Sequence, residues 1–83
     1  MNAQLYERVR SIAADVLQVS ATSITQQSST ENVESWDSVH HLNLVLALEQ
    51  EFDLQFDPEE MDHMHSISHI LQVLDNKLNH RSS

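Results

Sequence analysis

The first apolar positions of the chain recur at intervals of three and four residues, which is the spacing of one face of a helix. They predict an amphipathic helix over residues 3–18, with polar side chains on the opposite face. The apolar residues that define this face are Leu5, Val9, Ile12, Val16 and Leu17.

A second helix is predicted from Ser38 to about Asp53, where apolar residues again fall at helical spacing. Asp37 stands immediately before it and is a suitable N-cap, because its carboxylate can accept a hydrogen bond from an exposed amide of the first turn. We expect one apolar stripe to face the core and Leu44 to lie off its edge. The stripe consists of Leu42, Val45, Leu48 and Phe52.

Two further helix starts follow. Residues 57–60 (Asp-Pro-Glu-Glu) place Asp at a cap, Pro at the first helical position and Glu where it closes a capping box. The short helix that begins here should contain Met61 and Met64. Ser66 is then expected to cap a last helix that ends near Asn79. The apolar face of this last helix consists of Ile67, Ile70, Leu71, Leu74 and Leu78.

Between the first two helices, residues 20–35 are rich in Ser, Thr and Gln. This composition predicts a long connecting loop, which Ile24 and Val33 should hold against the core. The chain has no Gly, so Ser, Asn and Asp must form the turns through local bonds to the backbone.

No stretch of the sequence alternates between apolar and polar residues as a strand would. We therefore predict an all-α fold, a four-helix bundle of three main helices plus one short helix, as a single domain over residues 1–83 with an ordered core at about 3–79.

Acidic residues are concentrated in the middle of the chain. The formal net charge is −9, and ten of the 13 acids lie between Glu31 and Asp62, where there is no Lys or Arg. Such a segment repels nucleic-acid phosphates and is attracted to basic surfaces of protein partners.

The chain has no Cys, so neither a disulfide nor a cysteine metal ligand is available. The chain has no apolar run of transmembrane length and no signal-like N-terminus, so we expect a soluble, cytoplasmic protein. We also expect a monomer.

The segment from Ser35 to Val39, Ser-Trp-Asp-Ser-Val, leads into the apolar, acid-ended sequence of the second predicted helix. This arrangement resembles the prosthetic-group attachment site of acyl carrier proteins, and the resemblance extends over about residues 4–78. The resemblance implies that the predicted bundle is an acyl-carrier-like four-helix bundle. It implies that Ser38 carries 4′-phosphopantetheine, derived from coenzyme A, whose thiol carries acyl intermediates as thioesters. Asp37 is then both the N-cap and a recognition residue for the modifying transferase. The resemblance also implies a stand-alone carrier that has no catalytic residues and is not an enzyme.

The same resemblance implies two kinds of partner. One is the phosphopantetheinyl transferase, and the other comprises acyl-loading, acyl-transferring or condensing enzymes with basic docking patches. Trp36 is either a docking contact or a lid on the core, and partial burial is favoured because Trp is rarely left bare. The candidate residues for partner recognition are Trp36, Val39, Glu49, Glu51 and Asp53.

Three positions depart from the pattern of carriers in fatty-acid synthesis. His40, Asn43 and Gln50 stand where such carriers usually have acids. The resemblance therefore favours a specialised pathway, such as polyketide synthesis or the modification of lipids or glycans. Two alternatives stay open: a peptidyl carrier that holds an aminoacyl group, and an unmodified acidic interaction bundle in which Ser38 is only a helix cap.

Six His residues raise the question of a metal site. His65 and His69 are four residues apart, with His63 nearby, and this spacing can bind zinc. However, no Cys and no supporting set of carboxylates accompanies them. We therefore predict no metal site and expect these His side chains to be exposed.

Overall fold

The computed structural model describes the backbone of residues 3–81 and the side chains of residues 4–78, and most of these residues are helical. No strand occurs within them, and their only β contact is an isolated bridge between Ser29 and Ser66. The predicted all-α fold is confirmed, although the last helix ends at Arg81 rather than near Asn79. The helices are α1 (Ala3–Leu17), α2 (Ser38–Phe52), α3 (Pro58–Asp62) and α4 (Ile67–Arg81), with a short 3-10 turn at Ala21–Ser23.

Two expectations concern the chain as a whole. The single domain over residues 1–83 stays a prediction, and residues 1, 2, 82 and 83 lie outside the described part of the chain. Within residues 3–81, no helix has both the length and the apolar character that crossing a membrane requires.

The three main helices bury their apolar faces in one core. α1 packs against both α2 and α4, and the loop before α2 and the segment between α2 and α4 add further side chains. Burial of one large apolar side chain stabilises the folded state by roughly 1.5–3 kcal/mol. The buried apolar residues are Leu5, Val9, Ala13, Ala14, Leu17, Ile24, Trp36, Leu44, Val45, Leu48, Phe52, Phe56, Met64, Ile67, Ile70, Leu71 and Leu74.

The buried face of α2 differs from the predicted stripe. Leu44 is fully buried whereas Leu42 is 54% exposed, so the assignment of Leu42 to the core and of Leu44 to its edge is wrong. The buried row follows residues four apart, Leu44, Leu48 and Phe52, with Val45 beside it. Apolar side chains fall at helical spacing on two faces of α2, and periodicity alone does not determine which face meets α1.

The loop of residues 18–37 is fixed against the rest of the bundle. Ile24 is buried and Val33 packs against the core, as predicted. The loop also pairs with the segment that leads into α4, where the amide of Thr30 donates a hydrogen bond to the carbonyl of His65 at 2.9 Å. These contacts set the path by which the loop reaches the start of α2.

The start signals of the last two helices act as predicted. A capping box of Asp57 and Glu60 begins α3, and at the start of α4 the Ser66 hydroxyl accepts a hydrogen bond from the amide of His69 at 3.2 Å. Met64 is not part of the short helix, contrary to the prediction, because α3 ends before it. It packs in the core from the segment that joins α3 to α4.

Trp36 belongs to the core and is not a partly exposed lid. Only 2% of the residue is exposed, although it stands just before the start of α2. Burial is therefore more complete than the sequence predicts. A residue with so little surface cannot serve as a docking contact, so Trp36 is removed from the candidate residues for partner recognition.

Truncation of Trp36 should destabilise the fold strongly. We expect Trp36→Ala to lower the free energy of unfolding by about 3–5 kcal/mol, because it removes a large buried side chain and leaves a cavity. Val39→Ala is the control, since Val39 is 66% exposed and its truncation should change stability by less than about 0.5 kcal/mol. Urea denaturation followed by far-UV circular dichroism measures both. A loss below about 1 kcal/mol for Trp36→Ala would contradict its place in the core.

Candidate functional site

Ser38 is the first residue of α2, and its side chain is exposed. It is not the residue that caps the helix. The N-cap is Asp37, whose carboxylate accepts a hydrogen bond from the amide of His40 at 2.9 Å. In the hypothesis of an unmodified bundle, Ser38 is needed only as a cap. The structure gives that function to Asp37 and leaves the hydroxyl of Ser38 at the surface.

Asp37 carries a negative charge at the N-terminus of α2. His40 Nδ1 lies 2.8 Å from Asp37 Oδ1, the same oxygen that accepts the bond from the His40 amide. The hydrogen bond from the amide holds the pKa of Asp37 below its ordinary value, and the contact with the His40 ring lowers that pKa further. The carboxylate is therefore ionised at neutral pH. Any anionic group on Ser38 shares the positive end of the helix with this charge.

A cleft of about 360 Å³ opens beside Ser38. Its walls come from the loop before α2, the first turn of α2, the end of α3 and the segment that follows α3. A group attached to the Ser38 hydroxyl therefore has both solvent and a surface cleft within reach. The residues that line the cleft are Thr30, Trp36, Asp37, Ser38, His41, Asp62 and His65.

His41 connects Trp36 to α3 through both nitrogens of its ring. Trp36 Nε1 is 3.0 Å from His41 Nδ1, and His41 Nε2 is 3.1 Å from the carbonyl oxygen of Met61. An indole N–H can only donate, so Nδ1 accepts, and Nε2 carries the hydrogen that is donated to Met61. This geometry fixes one neutral tautomer of His41 and ties the start of α2 to α3. We refer to the two bonds among Trp36, His41 and Met61 as the indole bridge.

The histidines at zinc-like spacing make ring contacts with different neighbours. His65 stacks on His41 with ring centroids 5.1 Å apart, and His69 Nδ1 is 2.8 Å from the hydroxyl oxygen of Ser66. Among the residues that the structure describes, no three His, Cys, Asp or Glu side chains come together as metal ligands. His65 instead forms one wall of the cleft beside Ser38.

The exposed face of α2 carries an apolar stripe that begins next to Ser38. Val39 is 66% exposed, Leu42 54% and Leu46 47%, and intervals of three and four residues place them on one face. The sequence predicts only Val39 as a contact, because its periodicity assigns Leu42 to the core. The sequence nevertheless contained a signal for this stripe, because Val39, Leu42 and Leu46 form a second apolar row at helical spacing. Large apolar side chains exposed in a row are typical of a surface that a partner covers.

The three candidate acids at the end of α2 lie in different environments. Glu49 is partly buried, and its carboxylate accepts a hydrogen bond from the amide of Phe56 at 2.9 Å. Glu51 forms a salt bridge with Arg8 of α1. Asp53 is exposed and ends α2 with left-handed backbone geometry at φ 53°. Glu49 and Glu51 therefore already have partners within the chain.

Comparisons with known proteins identify the family of the chain. The sequence model of a family described as phosphopantetheine attachment site matches residues 7–74. The acyl carrier protein of Clostridium acetobutylicum is 33% identical over 70 residues, which cover 84% of this chain and 91% of that protein. The acyl carrier protein of Thermosynechococcus vestitus is 28% identical over 75 residues, which cover 90% of this chain and 93% of that protein.

A solved structure shares the fold. The solution structure of a holo acyl carrier protein from Nitrosomonas europaea matches with a TM-score of 0.79 at 28% identity, over 92% of this chain and 98% of that chain. Sequence and structure together identify a carrier protein that is not an enzyme and whose cofactor is covalently attached 4′-phosphopantetheine. The chain belongs to the acyl carrier protein family.

Proposed function

We propose that Ser38 is the residue to which 4′-phosphopantetheine is attached. The observation that carries the proposal is the exposed Ser38 side chain at the first position of α2, where Asp37 does the capping. A transferase can therefore reach the hydroxyl without disturbing the helix. The residues fit the group, because a mobile arm needs an exposed anchor on a rigid element, and the cleft beside Ser38 can receive part of the arm.

Attachment forms one bond and breaks another. The Ser38 oxygen attacks the phosphorus of coenzyme A that bears the pantetheine and forms a phosphodiester, while the pyrophosphate bond breaks and adenosine bisphosphate leaves. The hydroxyl proton passes to a base of the transferase, because an unassisted Ser is a weak nucleophile. Once attached, the group supplies a thiol that holds acyl intermediates as thioesters.

Asp37 has two functions in this proposal. Its carboxylate caps α2 and so fixes the turn that presents Ser38. It also remains charged at neutral pH, since its pKa is lowered by the bond from His40, and a basic group of the transferase can pair with it.

We propose that partner enzymes cover the apolar stripe of Val39, Leu42 and Leu46. The stripe starts beside Ser38, so an enzyme seated on it brings the attachment residue close to its own active site. Burial of apolar surface is the main favourable contribution to most protein–protein association. The acidic residues between positions 31 and 62 then steer basic patches of the transferase and of acyl-loading, acyl-transferring or condensing enzymes from a distance. We expect these encounters to take place in the cytoplasm.

Several uncharged positions on α2 are the basis of a further proposal. From them we infer that the carrier serves a specialised pathway rather than bulk fatty-acid synthesis. Asn43 and Gln50 are exposed, and about two helical turns separate them, so they lie on one face near the apolar stripe. His40 is engaged with Asp37. Enzymes that bind acidic side chains on this face should associate slowly, which favours partners of a polyketide, lipid-modifying or glycan-modifying pathway.

The two alternative functions, an unmodified interaction bundle and a peptidyl carrier, differ in whether Ser38 is modified. An unmodified interaction bundle needs Ser38 only as a helix cap, and the cap formed by Asp37 removes that argument. A peptidyl carrier would use the same serine and the same arm, and it would differ in the aminoacyl group that its loading enzyme supplies.

Ser38 should be the sole attachment residue. Incubation with coenzyme A and a phosphopantetheinyl transferase of broad specificity should add one phosphopantetheine to the wild type and none to Ser38→Ala, as measured by intact mass. Ser66→Ala is the matched control, because Ser66 is a helix-capping serine and its variant should be modified as the wild type is. Modification that survives in Ser38→Ala would show that another residue is the site.

Removal of one side chain from the apolar stripe should slow the modification. We expect Leu42→Ser to lower kcat/KM of the transferase about tenfold, because loss of a central interface contact costs roughly 1–2 kcal/mol. Gln72→Ser, at an exposed position of α4, is the control and should leave kcat/KM unchanged. Circular dichroism should show native helicity in both variants. Equal rates for Leu42→Ser and the wild type would exclude Leu42 from the interface.

Acids introduced beside the stripe should favour enzymes of fatty-acid synthesis. We expect Asn43→Glu combined with Gln50→Glu to raise the initial loading rate by such an acyltransferase several-fold, and high salt should abolish the gain because it is electrostatic. Gln72→Glu combined with Asn76→Glu adds the same charge on α4 and should have little effect. Wild-type loading as fast as that of a dedicated fatty-acid carrier would overturn the inference of a specialised pathway.

A further inference from the structure

Trp36 forms the inner wall of the cleft beside Ser38. This wall limits how deeply an attached acyl group can enter the bundle from the cleft. Trp36 lines the cleft, yet only 2% of the residue is exposed. It therefore stands between the cleft and the core. An acyl chain that enters the bundle from this cleft would have to displace Trp36 before it could reach the buried aliphatic side chains of α2.

Displacement of Trp36 would break the indole bridge. The indole N–H would lose its acceptor on His41, and a donor left unpaired inside a protein is costly. The His41 ring is held in addition by the carbonyl of Met61 and by the stacked ring of His65. The wall is therefore fixed by the loop before α2, by α2 itself, by α3 and by the segment that follows α3.

Two further contacts hold α3 in place. The Glu49 carboxylate of α2 accepts a hydrogen bond from the amide of Phe56, just before α3. Lys77 of α4 forms a salt bridge with Glu60 of α3 at 2.9 Å. Together with the indole bridge, these contacts hold α3 and the segment before it against both α2 and α4. An acyl chain that entered between α2 and α3 would have to separate them.

We propose that the indole bridge keeps the acyl group outside the core, and that the cargo of this carrier is therefore a short or polar acyl group. The proposal rests on attachment at Ser38. A long aliphatic chain that stays in water gains none of the free energy of apolar burial, so a carrier with a closed core gives it no shelter. A short or polar group needs no such shelter, and the cleft of about 360 Å³, whose lining includes Thr30, Asp62 and His65, can receive it.

The test compares two loaded forms of the wild type. Acetyl- and octanoyl-phosphopantetheine are transferred to the protein from the corresponding acyl-coenzyme A, and intact mass verifies each product. Burial of the octanoyl chain would stabilise the native state and raise the midpoint of thermal unfolding by more than about 5 °C. We expect the two forms to differ by less than about 3 °C, with the same emission from Trp36, the only Trp in the chain.

Trp36→Leu removes the wall and the indole donor while keeping an apolar residue. In this variant the octanoyl form should melt more than about 5 °C above the acetyl form, because the chain can now enter the core. Leu5→Ala is the matched control: Leu5 is buried and lies with Phe52 at the opposite end of α2, so the space it leaves is remote from Ser38. It should show no gain on octanoylation.

A wild-type octanoyl form that melts about 3 °C or more above the acetyl form would overturn the proposal. A folded Trp36→Leu variant that gains nothing from octanoylation would also overturn it, because Trp36 would then not be the barrier. The wild-type comparison decides the question even if Trp36→Leu fails to fold. Absence of any mass gain refutes attachment at Ser38 instead, so the two failures are distinct.

Discussion

The hydrogen bond from the indole of Trp36 to His41 is the contact on which the arrangement of the site depends. Trp36 contributes a large apolar surface to the core, but burial of its ring is favourable only if the N–H finds an acceptor. His41 supplies that acceptor from the first turn of α2 and transmits the constraint to α3 through the carbonyl of Met61. One polar side-chain pair thus sets the positions of the loop end, of α2 and of α3, and with them the cleft beside Ser38.

A consequence of this arrangement is that α2 has two apolar faces with different surroundings. One face is buried against the bundle, whereas Val39, Leu42 and Leu46 are left in solvent. A helix that is apolar on several sides is normally enclosed by its own domain. Within residues 4–78, no other part of the chain encloses the second face of α2. The uncovered face begins next to Ser38, the residue that we propose for attachment, and this is where a carrier would meet its enzymes.

Local signals made the helix starts predictable from the sequence. Asp37, the capping box before α3 and Ser66 act on amides within the next few residues, so short sequence patterns contain the whole interaction. The family resemblance implied attachment at Ser38 from an equally local pattern, since the acid and the serine are adjacent. The buried face of α2 was not predictable, because two rows of apolar residues satisfy the same periodicity. Only the position of α1 decides between them.

The indole bridge could not have been predicted either. Trp36 and His41 are close in sequence, but the third partner is a backbone carbonyl from α3, and no residue type marks a carbonyl that will accept a bond. The contact made by His65 could not be predicted for a similar reason. The spacing of His65 and His69 around the start of α4 drew attention to these two residues, whereas the ring that His65 contacts belongs to α2.

The indole bridge also restricts how this sequence can vary. Met61 contributes only its carbonyl, which any residue supplies, so the bridge places no demand on its side chain. Trp36 and His41 are matched through their side chains. A descendant that kept Trp36 but lost the acceptor at position 41 would bury an unpaired donor, and one that kept His41 beside a small residue would lose the group that fixes its tautomer. Substitutions at these two positions should therefore become established together, as a correlated pair in the evolution of this chain.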